Sequence, residues 1–345
     1  MKKILIVDPL SYSGHVNYNY GIVRAIAAKF DYDIIVNEAT AESLQDKGIV
    51  QQHFIYVYPD SWNIYNMSKR MSKLSYHILF RLYFIKVLLF ARKKANQYDA
   101  ILFTCIDVYS FAFISWLFNK NCYLVDHGIG GISDNIFYRL GWRLISKKLH
   151  IIVLEQFIKD MVVNILPKRN IHVVRHPLPI LKQNDSSFRE RGSTILLFAP
   201  SASNDDIFLH NLCNYKLSDM NVVAKSNSFK FKTEHVTIYN DYLTNDEYNY
   251  YLSNSNFILL PYSQSYNYRI SAVLFEAMIM GKPVALLSNN TLKYYADIFR
   301  GKICLFSSVE EMEDKLKNFI PNEMSSFLNL YSDESLASTF ENLFN

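Results

Sequence analysis

Cysteine is scarce in this chain of 345 residues: Cys105, Cys122, Cys213 and Cys304 stand far apart, with no Cys-x-x-Cys pair. That spacing excludes a thiolate zinc module, and a chain of this length does not need disulfide staples, so a reducing cytoplasm is expected. His-x-His and His-Glu-x-x-His spacings are absent too. Metal catalysis is therefore not expected, and no cofactor is assigned. Without a Gly-x-Gly-x-x-Gly fingerprint, a nicotinamide enzyme is disfavoured. Ten glycines and nine prolines without a period exclude collagen-like and low-complexity classes. No repeat occurs at solenoid spacing. The first apolar run, Ile4–Val7, ends at Asp8. It is too short for the core of a signal peptide and reads as a buried parallel strand.

What is present describes a globular protein. Hydrophobic residues make up 50% and charged residues 20%, which argues against disorder. The length suggests two domains. The net charge of +4 is unevenly spread: residues 1–180 carry +9 and the remainder −5. Such asymmetry between halves points to a partner. Between Asp60 and Asp99 there is no acid, while Lys69, Arg70, Lys73, Arg81, Lys86, Arg92, Lys93 and Lys94 are basic.

Strand and helix patterns alternate along the whole chain, which predicts parallel α/β layers. In the first half, strands are expected at 3–8, 33–37, 53–58, 99–104, 121–125, 150–154 and 171–174. Helices are expected at 18–29, 75–96, 107–118 and 155–165. Arg175-His176-Pro177-Leu178-Pro179 and the polar stretch 182–192 read as a linker, with His176 a structural residue of that hinge. A second series follows, with strands at 194–199, 220–224, 235–238, 256–260, 283–287 and 303–305. Its helices are expected at 205–213, 245–253, 271–280, 291–299 and 309–318, and the tail 323–344 reads as helical. Two doubly wound domains place ligands at the carboxyl ends of their strands.

The most informative stretch runs Phe257-Ile258-Leu259-Leu260-Pro261-Tyr262, then Tyr268-Arg269-Ile270-Ser271, then Ala272 to Val284. It predicts a buried strand, a polar loop and a helix capped by Ser271 and closed by Gly281. Pro283 prevents the helix from continuing. The free amides at the start of that helix form an anion site. Arg269, two residues before the cap, adds a charge with phosphate-matching geometry. Glu276 lies one turn further in. A second small polar turn, Pro200-Ser201-Ala202-Ser203-Asn204, follows the strand at 194–199. Ser201 and Ser203 serve either phosphate binding or helix capping. Lys225 either supplies a phosphate charge or ends its strand in solvent.

Glu276-Ala277-Met278-Ile279-Met280-Gly281-Lys282-Pro283-Val284, with the Leu-Leu-Pro-Tyr strand before it, resembles the donor-binding segment of GT-B glycosyltransferases. The likeness is to the family-four group of retaining enzymes in particular. The resemblance implies a fold of two Rossmann-like doubly wound domains facing across a cleft. The expected division is an acceptor domain at 1–180, a nucleotide-sugar donor domain at 181–322, and a helix at 323–345 packing back on the first domain. It implies further that Glu276 binds the nucleotide ribose and that Ser271 and Ala272 hold the diphosphate. The chain departs from the pattern eight residues before Glu276. Tyr268 stands there, where the family usually has a glutamate touching the donor sugar.

In the first half, Ser11-Tyr12-Ser13-Gly14-His15 resembles the glycine-rich acceptor loop of the same enzymes. Gly14 permits a close approach. His15 contacts acceptor or donor phosphates, or is a surface histidine. The strand at 121–125 runs into Asp126-His127-Gly128-Ile129-Gly130-Gly131. His127 is the candidate catalytic group, as base or as charge stabiliser. Asp126 either orients its ring or is itself the base.

Residues 75–91 are apolar and aromatic, but His77, Arg81 and Lys86 interrupt a run of 17 residues. That is shorter than the roughly 20 residues a crossing needs. The segment 69–94 therefore reads as an interfacial helix on an anionic membrane, or as a domain helix with a solvated basic face. Nucleic acid is not an expected partner, since no binding motif accompanies the charge. With these features, the resemblance implies transfer of a sugar from a nucleotide-diphosphate sugar to a glycan or lipid-linked glycan. The place of action is then the cytoplasm or the inner face of the cell membrane. The alternatives are a sugar-nucleotide epimerase of the same fold and a non-catalytic sugar-nucleotide-binding protein.

Overall fold

The computed structural model describes residues 1–9, 15–62, 72–118, 121–179, 194–322 and 327–345. Gly14, Lys69, Arg70 and the polar stretch 182–192 lie outside the described residues. The chain divides into two compact units, Met1–Pro177 with Leu330–Asn345, and Leu178–Asn329. The sequence reading divides the chain at 180 and 322.

The first unit is a seven-stranded parallel sheet. Its strands are β1 (Lys3–Val7), β2 (Asp31–Asn37), β3 (Phe54–Tyr58), β4 (Ala100–Phe103), β5 (Cys122–Val125), β6 (His150–Val153) and β7 (Asn170–Val173). They lie side by side in the order β3-β2-β1-β4-β5-β6-β7. Ile6 of β1 pairs with Ile34 of β2 on one side and Leu102 of β4 on the other. The helices are α1 (His15–Ala27), α2 (Glu38–Gln45), α3 (Lys73–Lys94), α4 (Val108–Ile114), α5 (Ile136–Leu144) and α6 (Gln156–Ile165). Apolar runs such as Ile4–Val7 are buried completely, because helices cover both faces of a parallel sheet.

The second unit repeats the plan with β8 (Ile195–Ala199), β9 (Met220–Lys225), β10 (Phe231–Lys232), β11 (Val236–Tyr239), β12 (Phe257–Leu260), β13 (Val284–Leu287) and β14 (Ile303–Phe306). Their order is β10-β11-β9-β8-β12-β13-β14. Among the described residues, only the short edge strand β10 runs antiparallel to its neighbour. The helices are α7 (Asp206–Asn214), α8 (Asn245–Asn254), α9 (Ala272–Ile279), α10 (Tyr295–Ile298) and α11 (Val309–Asn318). In each sheet the strand order reverses beside the first strand, at β1/β4 and at β8/β12. Those are the switch points where open α/β sheets bind ligands.

Several expectations need correction. The tail is not one helix: Phe327–Tyr331 forms a tight turn, and α12 begins at Asp333 and ends at Phe344. Ser332 caps it by accepting from the Ser335 amide. The stretch expected as a helix at 291–299 breaks into a 3-10 turn, Thr291–Tyr294, and the one-turn α10. The basic stretch is longer than 17 residues. Leu74–Gln97 is helical and apolar enough, by length and composition, to cross a bilayer. Phe84, Val87, Leu88 and Ala91 are nevertheless buried within the first unit, which is how a domain helix packs.

α12 belongs to the first unit. Its Leu336, Phe340 and Phe344 are buried, and Phe344 meets Phe30 edge-on at 5.5 Å. Arg24 of α1 pairs with Asp333 at 2.8 Å, and the Tyr123 hydroxyl donates to the Leu343 carbonyl.

Candidate functional site

In the second unit two of the expected donor residues, Ser201 and Ser271, lie at one tyrosine. Tyr262 follows β12 and is 1% exposed. Its hydroxyl lies 2.9 Å from the Ser271 hydroxyl, and the Ser201 side chain stands near it. The two loops that the sequence marks separately, after β8 and before α9, therefore meet on a single phenol. The Asp205 amide donates to the Pro261 carbonyl at 2.6 Å and ties the same loops through the backbone. Ser201 also accepts from the Ser203 amide.

Ser271 is the cap of α9 and accepts from the Leu274 amide at 3.1 Å. Its hydroxyl is thus spent on the helix and on Tyr262. What the helix start offers outward is its first amides, beginning with that of the exposed Ala272. Gly281 closes the helix at φ 67°. The Lys282 amide reaches the Ala277 carbonyl and the Gly281 amide the Met278 carbonyl, the pair of bonds that ends a helix in a left-handed residue.

Tyr268 has φ 56°, unusual for a residue with a bulky side chain. Its amide donates to the Thr291 hydroxyl at 2.6 Å, which holds the turn in place. Arg269 is exposed and lies over the Tyr266 ring at 5.9 Å. Glu276 is partly buried, and its carboxylate accepts from the Tyr248 hydroxyl of α8. Burial raises the Glu276 pKa, and the Tyr248 bond opposes the rise.

Lys225 is drawn into its own loop. It is 5% exposed, and its ammonium donates to the Ser226 carbonyl, the Asn227 side chain and the Asn240 carbonyl. A lysine has three N–H donors, so this geometry leaves none for a phosphate. A groove of about 420 Å³ opens elsewhere on this unit, where Asn211 of α7 faces Asn289 and Ser307 beyond β13 and β14. None of the predicted donor residues lines it.

In the first unit three imidazoles cluster around a buried phenol. His15 begins α1 and stacks on His127 with ring centroids 4.6 Å apart. Tyr18, one turn along α1, meets His127 edge-on at 4.5 Å and His176 at 5.1 Å. Its hydroxyl is buried and finds no hydrogen-bond partner among the described residues. His127 Nε2 lies 3.1 Å from the Thr104 carbonyl at the end of β4. A carbonyl only accepts, so Nε2 carries the proton and Nδ1 keeps the lone pair. His176 Nδ1 likewise faces the Pro177 carbonyl at 2.7 Å. Burial pushes the His127 pKa well below its ordinary value, and that of His176 down to about 4. His15 is lowered by the same cause, with Asp8 opposing. Burial thus favours the neutral form of all three rings.

Asp126 does not touch the His127 ring in any bond of this network. Its carboxylate accepts from the Tyr138 hydroxyl, the Gly128 amide at 2.8 Å and the Trp142 indole at 3.3 Å. Burial still lifts its pKa to about 6, with those three donors opposing. His127 is oriented by Thr104 instead. The one Asp-x-Asp spacing, Asp31 and Asp33, opens β2 at the opposite, amino end of the sheet, where Lys3 bridges both carboxylates.

The sequence singles out His15, His127, Ser271, Arg269 and Glu276 as candidates, but not the residues that bond to or pack on them. Tyr248 and Tyr18 are two among 25 tyrosines, and no local pattern singles them out; Tyr262 is marked by the Leu-Leu-Pro-Tyr element, but not as the meeting point of two loops. His176 joins the imidazole cluster although its sequence context reads as linker.

No protein-family model matches the chain, and no curated protein matches it by sequence. Solved structures match over its whole length. A lipopolysaccharide outer core galactosyltransferase, WaaB in its apo form, has a TM-score of 0.63 at 12% identity, covering 99% of this chain and 98% of the other. A mutant of S. aureus TarM, in complex with Fondaparinux, alpha-GlcNAc-glycerol and UDP, has a TM-score of 0.60 at 13% identity, covering 100% of both chains. Anabaena HepE in complex with UDP and glucose has a TM-score of 0.57 at 11% identity, covering 98% of this chain and 95% of the other. Two parallel α/β units, with matching strand order and a C-terminal helix returned to the first, give this chain the GT-B fold of these glycosyltransferases.

Proposed function

We propose that this protein is a glycosyltransferase. It moves a sugar from a nucleotide-diphosphate sugar to a glycan or lipid-linked glycan of a surface polysaccharide or glycolipid. The observation that carries the reading is the meeting of two loops at the β8/β12 switch point on Tyr262, with the open amides of α9 and Glu276 beside them. The α9 amides and Arg269 take the diphosphate, where charge builds as the glycosidic bond breaks. Glu276 accepts the ribose hydroxyls, with Tyr248 holding its carboxylate. Ser201 and Ser203 shape the phosphate turn, and Tyr268 sits at the sugar end. In this reading helix amides and a guanidinium stabilise the charge, and no role is assigned to a metal. The family-four likeness makes it a retaining one.

On the first unit, His127 presents a neutral Nδ1 and His15 stacks against it, a suitable lining for an acceptor hydroxyl. A lipid-linked acceptor and the basic 69–94 segment support a site of action in the cytoplasm, against the inner face of the membrane.

The test is a thermal-shift panel of nucleoside diphosphates and their sugars, since ligand binding raises stability by mass action. At least one diphosphate should raise Tm. Glu276→Ala should then weaken its binding by about 1–3 kcal/mol, the scale of a lost hydrogen bond to a charged group. A panel with no shift, or a folded Glu276→Ala variant with unchanged affinity, would remove the donor pocket as assigned. Donor binding without transfer to any glycan would leave a binding protein or an epimerase.

A further inference from the structure

α3, α4 and α5 are successive crossovers running the same way along the first sheet, from β3 to β4, β4 to β5 and β5 to β6. Right-handed connection puts all three on one face of it. α4 packs against both of the others. Arg81 of α3 lies 3.7 Å from Asp107, and Arg92 donates to the Leu117 carbonyl beyond α4. Gly141 lets α5 sit close on α4, since a Cβ there would stand 2.8 Å from a Val108 methyl.

The outer surface of this layer is not what solvent selects. On α3, Leu74, Ile78, Leu82 and Leu89 are exposed. At 100° per residue they fall within one stripe about 80° wide, opposite the buried Phe80, Phe84 and Val87. α5 is turned the same way. Gly141 and Trp142 are buried, while Ile136, Phe137, Leu140 and Leu144 are exposed on one stripe. Between the two helices, Phe113 and Trp116 project into solvent, Trp116 with 72% of its surface open. Soluble proteins rarely leave an apolar area of this extent uncovered.

The charge around it names the occupant. Between Asp134 and Glu155 there is no acid, and Arg139, Arg143, Lys147 and Lys148 are the charged residues of that stretch. Within α3 and α5 themselves every charged residue is a cation; the nearby acids are Asp134, just before α5, and Asp107, which faces Arg81. An apolar face rimmed with one sign of charge, with an indole at its centre, matches an anionic bilayer surface.

We propose that the α4–α5 surface is the element that inserts into an anionic phospholipid leaflet. The basic residues of α3 supply the attraction, and Phe113, Trp116, Phe137 and Leu144 enter the headgroup and acyl boundary. This deepens the membrane reading given above and rests on it. It moves the apolar contact to residues outside 69–94.

The test combines co-sedimentation with tryptophan emission. Trp142 is buried and Trp62 stacks on Tyr83, so a Trp62→Phe background leaves Trp116 as the responsive indole. Vesicles of phosphatidylglycerol and of phosphatidylcholine are compared, with and without brominated acyl chains. Expected are binding to the anionic vesicles, a blue shift and quenching of Trp116, and at least about tenfold weaker partition for Phe137→Asp/Leu144→Asp. Both positions are exposed, so this variant should keep the wild-type Tm and nucleoside-diphosphate binding.

If the protein binds anionic vesicles while Trp116 stays unchanged and the double variant partitions normally, insertion by α4–α5 is overturned and the 69–94 contact stands. If no vesicle is bound at low salt, both are overturned and the acceptor is soluble, with the donor pocket untouched. If the wild type is a dimer that the double variant converts to a monomer, and vesicles compete for neither, the face is a contact between copies and the insertion is overturned.

Discussion

Arg269 stands two residues before the cap of α9, exposed over the Tyr266 ring. A guanidinium placed there addresses phosphate charge and not the base. Arg269→Ala should therefore weaken a nucleoside diphosphate more than the bare nucleoside, which calorimetry with both ligands measures. Equal losses would assign the residue to folding. Asp126 makes a prediction about pH. Its folded pKa of about 6 lies above the ordinary carboxyl value of 3.8. The folded state holds this proton more tightly than the unfolded one, so its contribution to stability falls as pH rises from about 4 to about 6. The loss is roughly 3 kcal/mol, at 1.36 kcal/mol for each pKa unit. His127 and His176, lowered by burial, act with the opposite sign, gaining stability as pH rises toward 6.5. The quantity to read is thus the difference between wild type and Asp126→Asn in urea unfolding at several pH values. It should change through pH 4–6 and be flat above 7. A constant difference would mean that Asp126 titrates normally.

At the scale of elements, α9 is the one whose ends can be checked most directly. Gly281 adopts φ 67° with no atom near where a Cβ would be. Gly281→Ala meets no clash and should lose only the left-handed conformational term, about 1–2 kcal/mol. Urea unfolding with and without a bound diphosphate measures it. A loss beyond about 3 kcal/mol would mean that the residue does more than end a helix. Ser271 and Gly281 were both legible, because caps are local chemistry written in adjacent residues. So were the parallel strands, since burial on both faces leaves continuous apolar runs such as Phe257–Leu260. α5 was not among the helices given bounds. Its Ile136, Phe137, Leu140 and Leu144 face outward, and a helix is normally recognised by an apolar stripe facing in. Lys225 was legible as a cation at a strand end, but not as one enclosed by its own loop. That depends on Asn227 and Asn240 closing over it. The Tyr248–Glu276 bond joins residues 28 apart on different helices, and no period encodes such a pair.

Across the whole molecule, chain order and spatial grouping part company at the C-terminus. Leu330–Asn345 follows the second unit in sequence and belongs to the first. Tyr331, Leu336, Phe340 and Phe344 are buried, and the Tyr331 hydroxyl donates to Glu155 at 2.8 Å. Full burial of each such side chain is worth about 1.5–3 kcal/mol. Four of them therefore approach the whole stability of an ordinary domain, about 5–15 kcal/mol. A chain lacking Leu330–Asn345 should lose the cooperative unfolding of its first unit, where Phe30 and Tyr123 would lose their contact with Phe344. The second unit has its own sheet and core, with Leu197, Leu209, Leu259 and Met312 buried together. It should still unfold cooperatively and still bind a nucleoside diphosphate. Hydrogen exchange read by mass spectrometry separates the two: protection should vanish from β1, α1 and β5 and persist in β8, β12 and α9. Protection lost equally from both units would show that the second depends on the first for its fold. Protection kept in both would show that α12 is dispensable and that α1 is held by the sheet beneath it alone.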